Sequence, residues 1–167
     1  HIDSPRIDLK PNPMYEANDM VFLKTHYYGG IKKYQWVTIP LAMHGVVVKR
    51  DGSTVNITIG EDENDTVFTI TDLLPHLAAD QMQKKMSEGI TGEGLNILSG
   101  SIPYKDDKVK DKVKLNILNI LNEKYGIVEE DLISAELEMV PKFNAVDVGF
   151  DKSMIGAYGQ DDRVCAY

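Results

Sequence analysis

Apolar residues between positions 20 and 60 cluster in short runs that are typical of β-strands. Two runs, MVFLKTHYY and YQWVTIPLAMHGVVVKR, are rich in β-branched and aromatic residues, and Gly29-Gly30 separates them. The following segment, VVVKRDGSTVNITIG, predicts an antiparallel hairpin, because Asp51-Gly52 suits the positive φ angles of a tight turn. We expect this hairpin to bury one face, formed by Val46, Val48, Val55, Ile57 and Ile59.

The clearest helical pattern runs from Asp106 to Lys124. Its apolar residues recur at helical spacing and predict one buried stripe, formed by Val109, Val113, Ile117, Ile120 and Leu121. Asp106 and Asp107 favour the positive N-terminal end of a helix, and Gly126 provides a stop.

A second helix is predicted after the strand TVFTI. Thr71 or Asp72 is a candidate N-cap, and Pro75 lies in the first turn, where its missing N–H does no harm. The apolar residues of this predicted helix are Leu73, Leu74, Leu77 and Met82.

The remaining pattern completes the expected fold class. Residues 87–106 are rich in glycine and predict a loop with one short strand at LNILSG, while SAELEMVP alternates like a strand. Short strands around a central hairpin, together with two or more helices packed on them, predict an α+β domain with a mostly antiparallel sheet. The pattern leaves a barrel and a sandwich both open.

Composition narrows the class of partner. The chain has 167 residues, enough for one domain with a sizeable core, and 18 basic against 26 acidic residues give a net charge of −8. This acidic balance disfavours nucleic acid and anionic membranes as partners. A single cysteine cannot form an internal disulfide, and neither an apolar run of about 20 residues nor a signal-peptide pattern is visible. We therefore expect a cytoplasmic location.

The two ends of the chain carry the candidate chemistry. Asp161 and Asp162 follow the run Gly-Ala-Tyr-Gly, and two adjacent carboxylates repel each other unless a cation or donors neutralise them. The pair is a candidate site for a divalent metal, and a solvated turn or a helix N-cap is the alternative. At the other end, His1 and Asp3 form a His-x-Asp triplet, in which the carboxylate can orient a metal-binding imidazole.

These segments resemble the aspartyl aminopeptidase family, whose members are dinuclear zinc exopeptidases. HIDSPRIDLKPNP at the start and DVGFDKSMIGAYGQDDRVCAY at the end are similar to two catalytic segments of that family. Between them, HYYGGIKKY, MHGVVVK and FTITDLLPHLAADQ follow in the family's order, so the resemblance covers nearly the whole chain.

The resemblance implies roles for four residues. His1 would bind one zinc ion, Asp162 would bridge two, and Asp3 would orient His1. His76 corresponds to a histidine of the family's dimerisation domain that helps to stabilise charge in the active site of the neighbouring subunit. The family completes its site with further carboxylates and a histidine downstream of the DDR segment, which this chain does not contain. We therefore expect the chain by itself to be inactive.

The resemblance also implies three segments and a function for the complete protein. Residues 1–16 would lead out of the peptidase core, residues 17–146 would form an inserted lid and dimerisation domain, and residues 147–167 would return to the core. The expected function is zinc-dependent removal of N-terminal, mainly acidic, residues from peptides with a free N-terminus, by a homo-oligomer. The alternative is an assembly domain with no catalytic contribution.

Overall fold

A curled, mostly antiparallel sheet forms the body of the structure, a computed structural model that describes residues 2–106 and 108–167. The described strands are β1 (Arg6–Ala17), β2 (Met20–Tyr28), β3 (Leu41–Val48), β4 (Thr54–Ile59), β5 (Thr69–Ile70), β6 (Ile97–Gly100), β7 (Glu136–Pro141), β8 (Val146–Val148) and β9 (Met154–Gly156). Seven of them form one sheet in the order β4-β3-β7-β1-β2-β6-β5, and β8 and β9 form a separate hairpin. The predicted α+β class is confirmed, including the short strand at LNILSG, which is β6.

The sheet curls because its far edge returns to β3. Leu41, the first residue of β3, exchanges two backbone hydrogen bonds with Phe68, which directly precedes β5 (2.8 and 3.0 Å). Since β5 is the last strand in the order, this pairing bends the sheet into a half-barrel. Of the two architectures that the sequence left open, the structure therefore has the barrel-like one.

Two prolines are accommodated inside the sheet by a bulge in β1. This strand lies between β7 and β2, yet it contains Pro11 and Pro13, which cannot donate a backbone hydrogen bond. The register with β2 shifts between Leu9 and Met14, and Asn12 has a φ of 50° there. The bulge removes the prolines from the regular ladder, so β1 can remain an internal strand.

The β3–β4 hairpin forms where the sequence places it but with a different register. Lys49 N donates to Ser53 O at 2.8 Å, so the loop contains three residues rather than the two of the expected turn. Because the loop is one residue longer, Val47 rather than Val48 pairs with Val55. Val47 therefore points into the core and is fully buried, whereas Val48 is 42% exposed. The prediction that Val46 and Val48 face the core was therefore wrong.

The predicted helix at 106–124 is confirmed but starts later. The described helices are α1 (Ala79–Met82), α2 (Met86–Gly89), α3 (Lys112–Tyr125) and α4 (Gln160–Ala166). The side chain of Asp111, at the start of α3, makes no capping hydrogen bond, and Glu16 of β1 accepts one from Lys114 N instead (2.8 Å). Gly126 ends α3 with a φ of 65°, as expected. Among the described residues, none of the helices combines the length and apolar character that a membrane crossing requires.

The second predicted helix was wrong in extent. Pro75–Leu77 form one 3₁₀ turn, and only Ala79–Met82 continue as the short helix α1. Asp72 accepts hydrogen bonds from Leu73 N and from the Gln81 side chain, both at 2.8 Å, and so fixes a compact turn instead of a helix start. The apolar residues expected to hold this helix on the core are each more than half exposed: Leu73, Leu74, Leu77 and Met82. A helix whose apolar face has no packing partner gains little stability.

The core lies between the concave face of the sheet and α3. Ile7, Leu41, Ile97 and Met139 are fully buried on the strands, and Val113 of α3 packs against them. The other residues of the predicted α3 stripe are less buried, since Ile117 and Leu121 are half-buried and Ile120 is 47% exposed. This core fixes the positions of β1, β2 and β7, which carry Arg6, Tyr28 and Glu138.

Candidate metal centre

The first turn of α4 separates the two adjacent carboxylates. Asp162 is buried, with 7% of its surface exposed, whereas Asp161 is exposed to solvent. The Oδ2 atom of Asp162 is fully buried and has no hydrogen-bond partner among the described residues. A buried carboxylate oxygen without a donor is costly unless a cation neutralises it. The burial therefore identifies Asp162, and not Asp161, as the candidate metal ligand.

The N-terminal segment runs directly against the start of α4. Arg163 Nη1 donates to the carbonyl oxygen of Ile2 at 2.5 Å. Gly159, which precedes α4 with a φ of 74°, faces Ser4 so closely that a Cβ at this position would collide with Ser4 Oγ. The structure thus brings the segment that follows His1 against the helix that carries Asp162. His1 itself lies outside the described residues.

Asp3 is held by two neighbours. A hydrogen bond from the Tyr28 hydroxyl is the main reason why the pKa of Asp3 is below its usual value. Arg6 Nη1 lies 3.7 Å from Asp3 Oδ2 and adds a positive charge. Both neighbours favour the ionised carboxylate, which is the form that can accept a hydrogen bond from an imidazole.

Arg6 is itself fixed by strands on both sides. Its Nε atom lies 2.8 Å from Asp8 Oδ1 and 3.0 Å from Glu138 Oε1 on β7. Its guanidinium carbon lies 4.2 Å above the ring of Tyr28, at the end of β2. A cluster of one arginine, one tyrosine and three carboxylates, including Asp3, therefore crosses three neighbouring strands beside the start of β1.

Tyr158 is a site residue that sequence reasoning did not identify. Its hydroxyl is buried and finds no hydrogen-bond partner in the described part of the chain. Its ring packs edge-on against Trp36, with 6.2 Å between the ring centroids. Burial, followed by the negative charge of Asp162, raises the pKa of Tyr158 to about 12. The only signal in the sequence was its place in the Gly-Ala-Tyr-Gly run before the two aspartates.

A cavity of about 900 Å³ lies in front of Asp162 and Tyr158. Its walls include Trp36, Ile39 and Phe143, and the segment from Gly156 to Asp162 forms one side. The cavity thus has an acidic residue beside apolar walls, which is an arrangement that a bound cation and an organic substrate both favour.

The residues present fit one part of a metal site. Asp162 offers an unpaired anionic oxygen of the kind that zinc binds. Among residues 2–106 and 108–167, however, no three histidine, cysteine or acidic side chains come together to hold an ion. Asp162 therefore fits as one ligand, and a complete centre needs ligands from outside the described residues.

His76 lies away from this cavity. It sits on the exposed turn Pro75–Leu77 and does not belong to the residues that line the cavity of Asp162. Exposed leucines surround it in sequence, at positions 73, 74 and 77. Within a single chain, the structure does not bring His76 and Asp162 to one site.

Comparisons with known proteins match the whole chain to one protein family. All 167 residues match the family model described as aminopeptidase I zinc metalloprotease, M18. A protein of Clostridium acetobutylicum named as a probable M18 family aminopeptidase 1 is 65% identical over the whole chain. The chain spans 36% of the length of that relative.

Solved structures show the same similarity. The crystal structure of an M18 aminopeptidase from Thermotoga maritima matches the whole chain and 36% of its own length, with a TM-score of 0.94 and 56% identity. At 18% identity, the S. cerevisiae mApe1 dodecamer shares the fold, with a TM-score of 0.57 over 93% of this chain and 33% of its own. The sequence match along its full length and the close structural similarity show that this chain belongs to the M18 family of aminopeptidase I zinc metalloproteases.

Proposed function

We propose that the protein carrying this chain is a zinc-dependent aminopeptidase that removes N-terminal residues, preferentially acidic ones, from peptides. The observation that carries the proposal is the buried Asp162 carboxylate, whose Oδ2 has no partner within the described residues. Asp162 also lines a cavity of about 900 Å³. His1 and Asp162 are the ligands that this chain would contribute. The other ligands would come from the rest of the protein, since the chain spans about a third of its relatives.

The chemistry divides between the metal and the chain. Two zinc ions, when bound, supply a Lewis acid for the scissile carbonyl and lower the pKa of a water molecule. Asp162 would hold the ions in place, and Asp3 would fix the ring of His1. The apolar wall formed by Trp36 and Ile39 would exclude water from one side of the cavity, which strengthens electrostatic interactions within it.

The adjacent aspartates provide a matched test. In the full-length protein, Asp162→Asn is expected to lose turnover of Asp-, Glu- and Leu-anilide substrates and about half or more of the bound zinc. Asp161→Asn removes the same charge from the neighbouring residue, which also lines the cavity but is exposed to solvent, and it should keep both. The ranking of the three anilides by the wild type tests the acidic preference. Unchanged zinc content and turnover in Asp162→Asn would refute the assignment of Asp162.

A second function, assembly, is favoured by the exposed surface around His76. Five large apolar side chains there are each more than half exposed: Leu73, Leu74, Leu77, Met82 and Met86. Contiguous exposed apolar residues of this kind mark interaction surfaces. We propose that this surface joins two copies of the chain and that the dimer forms even in the isolated chain, which would have no peptidase activity. This role is compatible with the catalytic one.

Dimer formation can be measured directly. Sedimentation of the isolated chain is expected to give a dimer that Leu77→Glu dissociates, because a charge in an apolar interface is costly. Ile102→Glu, at an equally exposed apolar residue outside this segment, is the control and should leave the dimer intact. A monomeric wild-type chain would contradict the proposed assembly role.

His76 can be tested by subunit complementation. If His76 serves the active site of the neighbouring subunit, His76→Ala and Asp162→Asn homo-oligomers should both have little activity. Oligomers reassembled from a mixture of the two variants should recover part of it, because some active sites then combine both intact residues. Recovery no greater than the sum of the separate activities would show that His76 does not act across subunits.

A cytoplasmic location remains our expectation for the protein.

A further inference from the structure

The cluster around Arg6 has no assigned role, although it holds the one carboxylate that follows His1 in the His-x-Asp triplet. Asp3 has 58% of its side chain exposed and belongs to the segment before β1, where no strand pairing restrains it. An exposed carboxylate on such a segment would sample several rotamers unless other side chains held it. Among the described residues, its ion-pair partner is the Arg6 guanidinium, which stacks on the ring of Tyr28, and the Tyr28 hydroxyl is within reach as a hydrogen-bond donor.

These two groups are themselves rigidly supported. Tyr28 ends β2 and pairs with Arg6 across the β1–β2 ladder, so both residues are placed by the sheet. The guanidinium stacks on the Tyr28 ring at 4.2 Å, and its Nε is held by Asp8 and Glu138 at 2.8 and 3.0 Å. Because Nε is occupied on that side, the terminal Nη1 is left to point towards Asp3.

We propose that Tyr28 and Arg6 are positioning residues that hold the Asp3 carboxylate and, through it, the zinc-binding imidazole of His1. The inference rests on the proposed function, in which Asp3 orients His1. Asp3 would stand one step behind the metal ligand, where the loss of a partner typically changes metal affinity by about 10–100-fold, and Tyr28 and Arg6 would act through it. Two neighbouring strands of the half-barrel would thus determine how well the N-terminal segment presents its ligand.

The charge balance of the cluster supports a positioning role over a purely structural one. Asp8 and Glu138 already neutralise Arg6, so Asp3 adds a third carboxylate to a single guanidinium. Asp3 lies farther from Arg6 than the other two do, at 3.7 Å, and therefore contributes least to holding the strands together. What the cluster does for Asp3 is to restrict its orientation, with Tyr28 supplying the hydrogen bond.

The test measures zinc affinity in the full-length protein, by competition with a chromophoric chelator. Tyr28→Phe keeps the ring beneath the guanidinium and removes only the hydroxyl, and we expect it to weaken zinc binding by about 10-fold. Arg6→Lys keeps the charge but loses the planar fork, and it should have a similar effect. Tyr27→Phe and Lys10→Met are the controls, because neither side chain contacts Asp3, and both should bind zinc as the wild type does.

A double-mutant cycle separates positioning from general structural damage. If Tyr28 acts through Asp3, Tyr28→Phe should cause no further loss of zinc affinity once Asp3→Asn is present. If the losses of zinc affinity caused by Tyr28→Phe and Asp3→Asn multiply in the double variant, the two residues act independently and the proposal is overturned. It is also overturned if Asp3→Asn binds zinc weakly while Tyr28→Phe and Arg6→Lys bind it within twofold of the wild type. Normal zinc binding by Asp3→Asn would instead refute the orienting role of Asp3 in the proposed function, and the inference would fail with it.

Discussion

Replacing Gly45 with alanine should open the half-barrel between β3 and β7. Gly45 has a φ of 139°, and a Cβ built there would lie 2.9 Å from the carbonyl carbon of Glu136 and 3.0 Å from Leu137 Cα, with the carbonyl oxygen closer still. These neighbours are backbone atoms of a paired strand and cannot rotate away. The two strands would have to separate where Gly45 pairs with Leu137, one pair from the end of their ladder.

The cost can be estimated from its two components. A side chain at a backbone conformation that favours glycine costs about 1–3 kcal/mol. Inserting a methyl group into a packed interface adds about 1–3 kcal/mol. Together they predict that Gly45→Ala lowers the free energy of unfolding by about 2–6 kcal/mol, which corresponds to an increase in the opening of β3 and β7 of about 30-fold or more.

Hydrogen exchange of peptides that cover β3 and β7 measures this opening. Two other glycines separate the components, because a Cβ at Gly52 or Gly30 would meet no atom within 4 Å. Gly52 has a φ of 83° and should show only the backbone cost, whereas Gly30 lacks a positive φ and should change stability by no more than about 0.5 kcal/mol. If Gly45→Ala exchanges at the rate of Gly30→Ala, the close approach of β3 and β7 does not limit stability, and the reasoning is refuted.

Three further predictions follow from single contacts of the described residues. Glu16→Ala should destabilise α3 by about 1 kcal/mol, because the Glu16 carboxylate accepts a hydrogen bond from Lys114 N. Asp111→Ala should have little effect, since the Asp111 side chain makes no capping hydrogen bond; equal losses of the two variants in chemical denaturation would contradict this. Asp131→Ala should cost about 1–3 kcal/mol, since Asp131 is buried and accepts from two backbone N–H groups, at 2.9 and 3.1 Å; a change below 0.5 kcal/mol would contradict it. The pKa of Tyr158 is raised from 10 to about 12, so folding favours its neutral form, and this contribution is complete below pH 10 and lost as the pH rises to 12. Tyr158→Phe should therefore lose less stability than the wild type between pH 10 and 12, and identical pH profiles of the unfolding midpoint would show that the hydroxyl is not buried beside Asp162.

The candidate site was predictable in part. The DDR segment pointed to Asp162 through a family resemblance, and full-length family and structural matches confirm that resemblance. The sequence alone offered two equivalent aspartates, and only the packing of α4 shows that Asp162 is buried and Asp161 is exposed. Tyr158 could not be predicted, because an unpaired hydroxyl is a property of its surroundings.

The sequence by itself determined the local elements of this protein. β-Branched runs specified the strands, Gly126 specified the end of α3, and Asp51-Gly52 specified where the chain turns. These features depend on backbone preferences of a few neighbouring residues, which a sequence displays directly.

The tertiary structure decided everything that depends on distant partners. Three consecutive valines at 46–48 carry no alternation, so a three-residue loop and the pairing with β7 determined that Val47 faces the core. The start of α3 was set by Glu16, a residue 98 positions away from Lys114, and the helix expected after Asp72 found no apolar surface to pack on. Burial, strand register and the capping of α3 depend on contacts between residues that are far apart in the sequence. These contacts form only in the folded chain, so the sequence pattern alone does not reveal them.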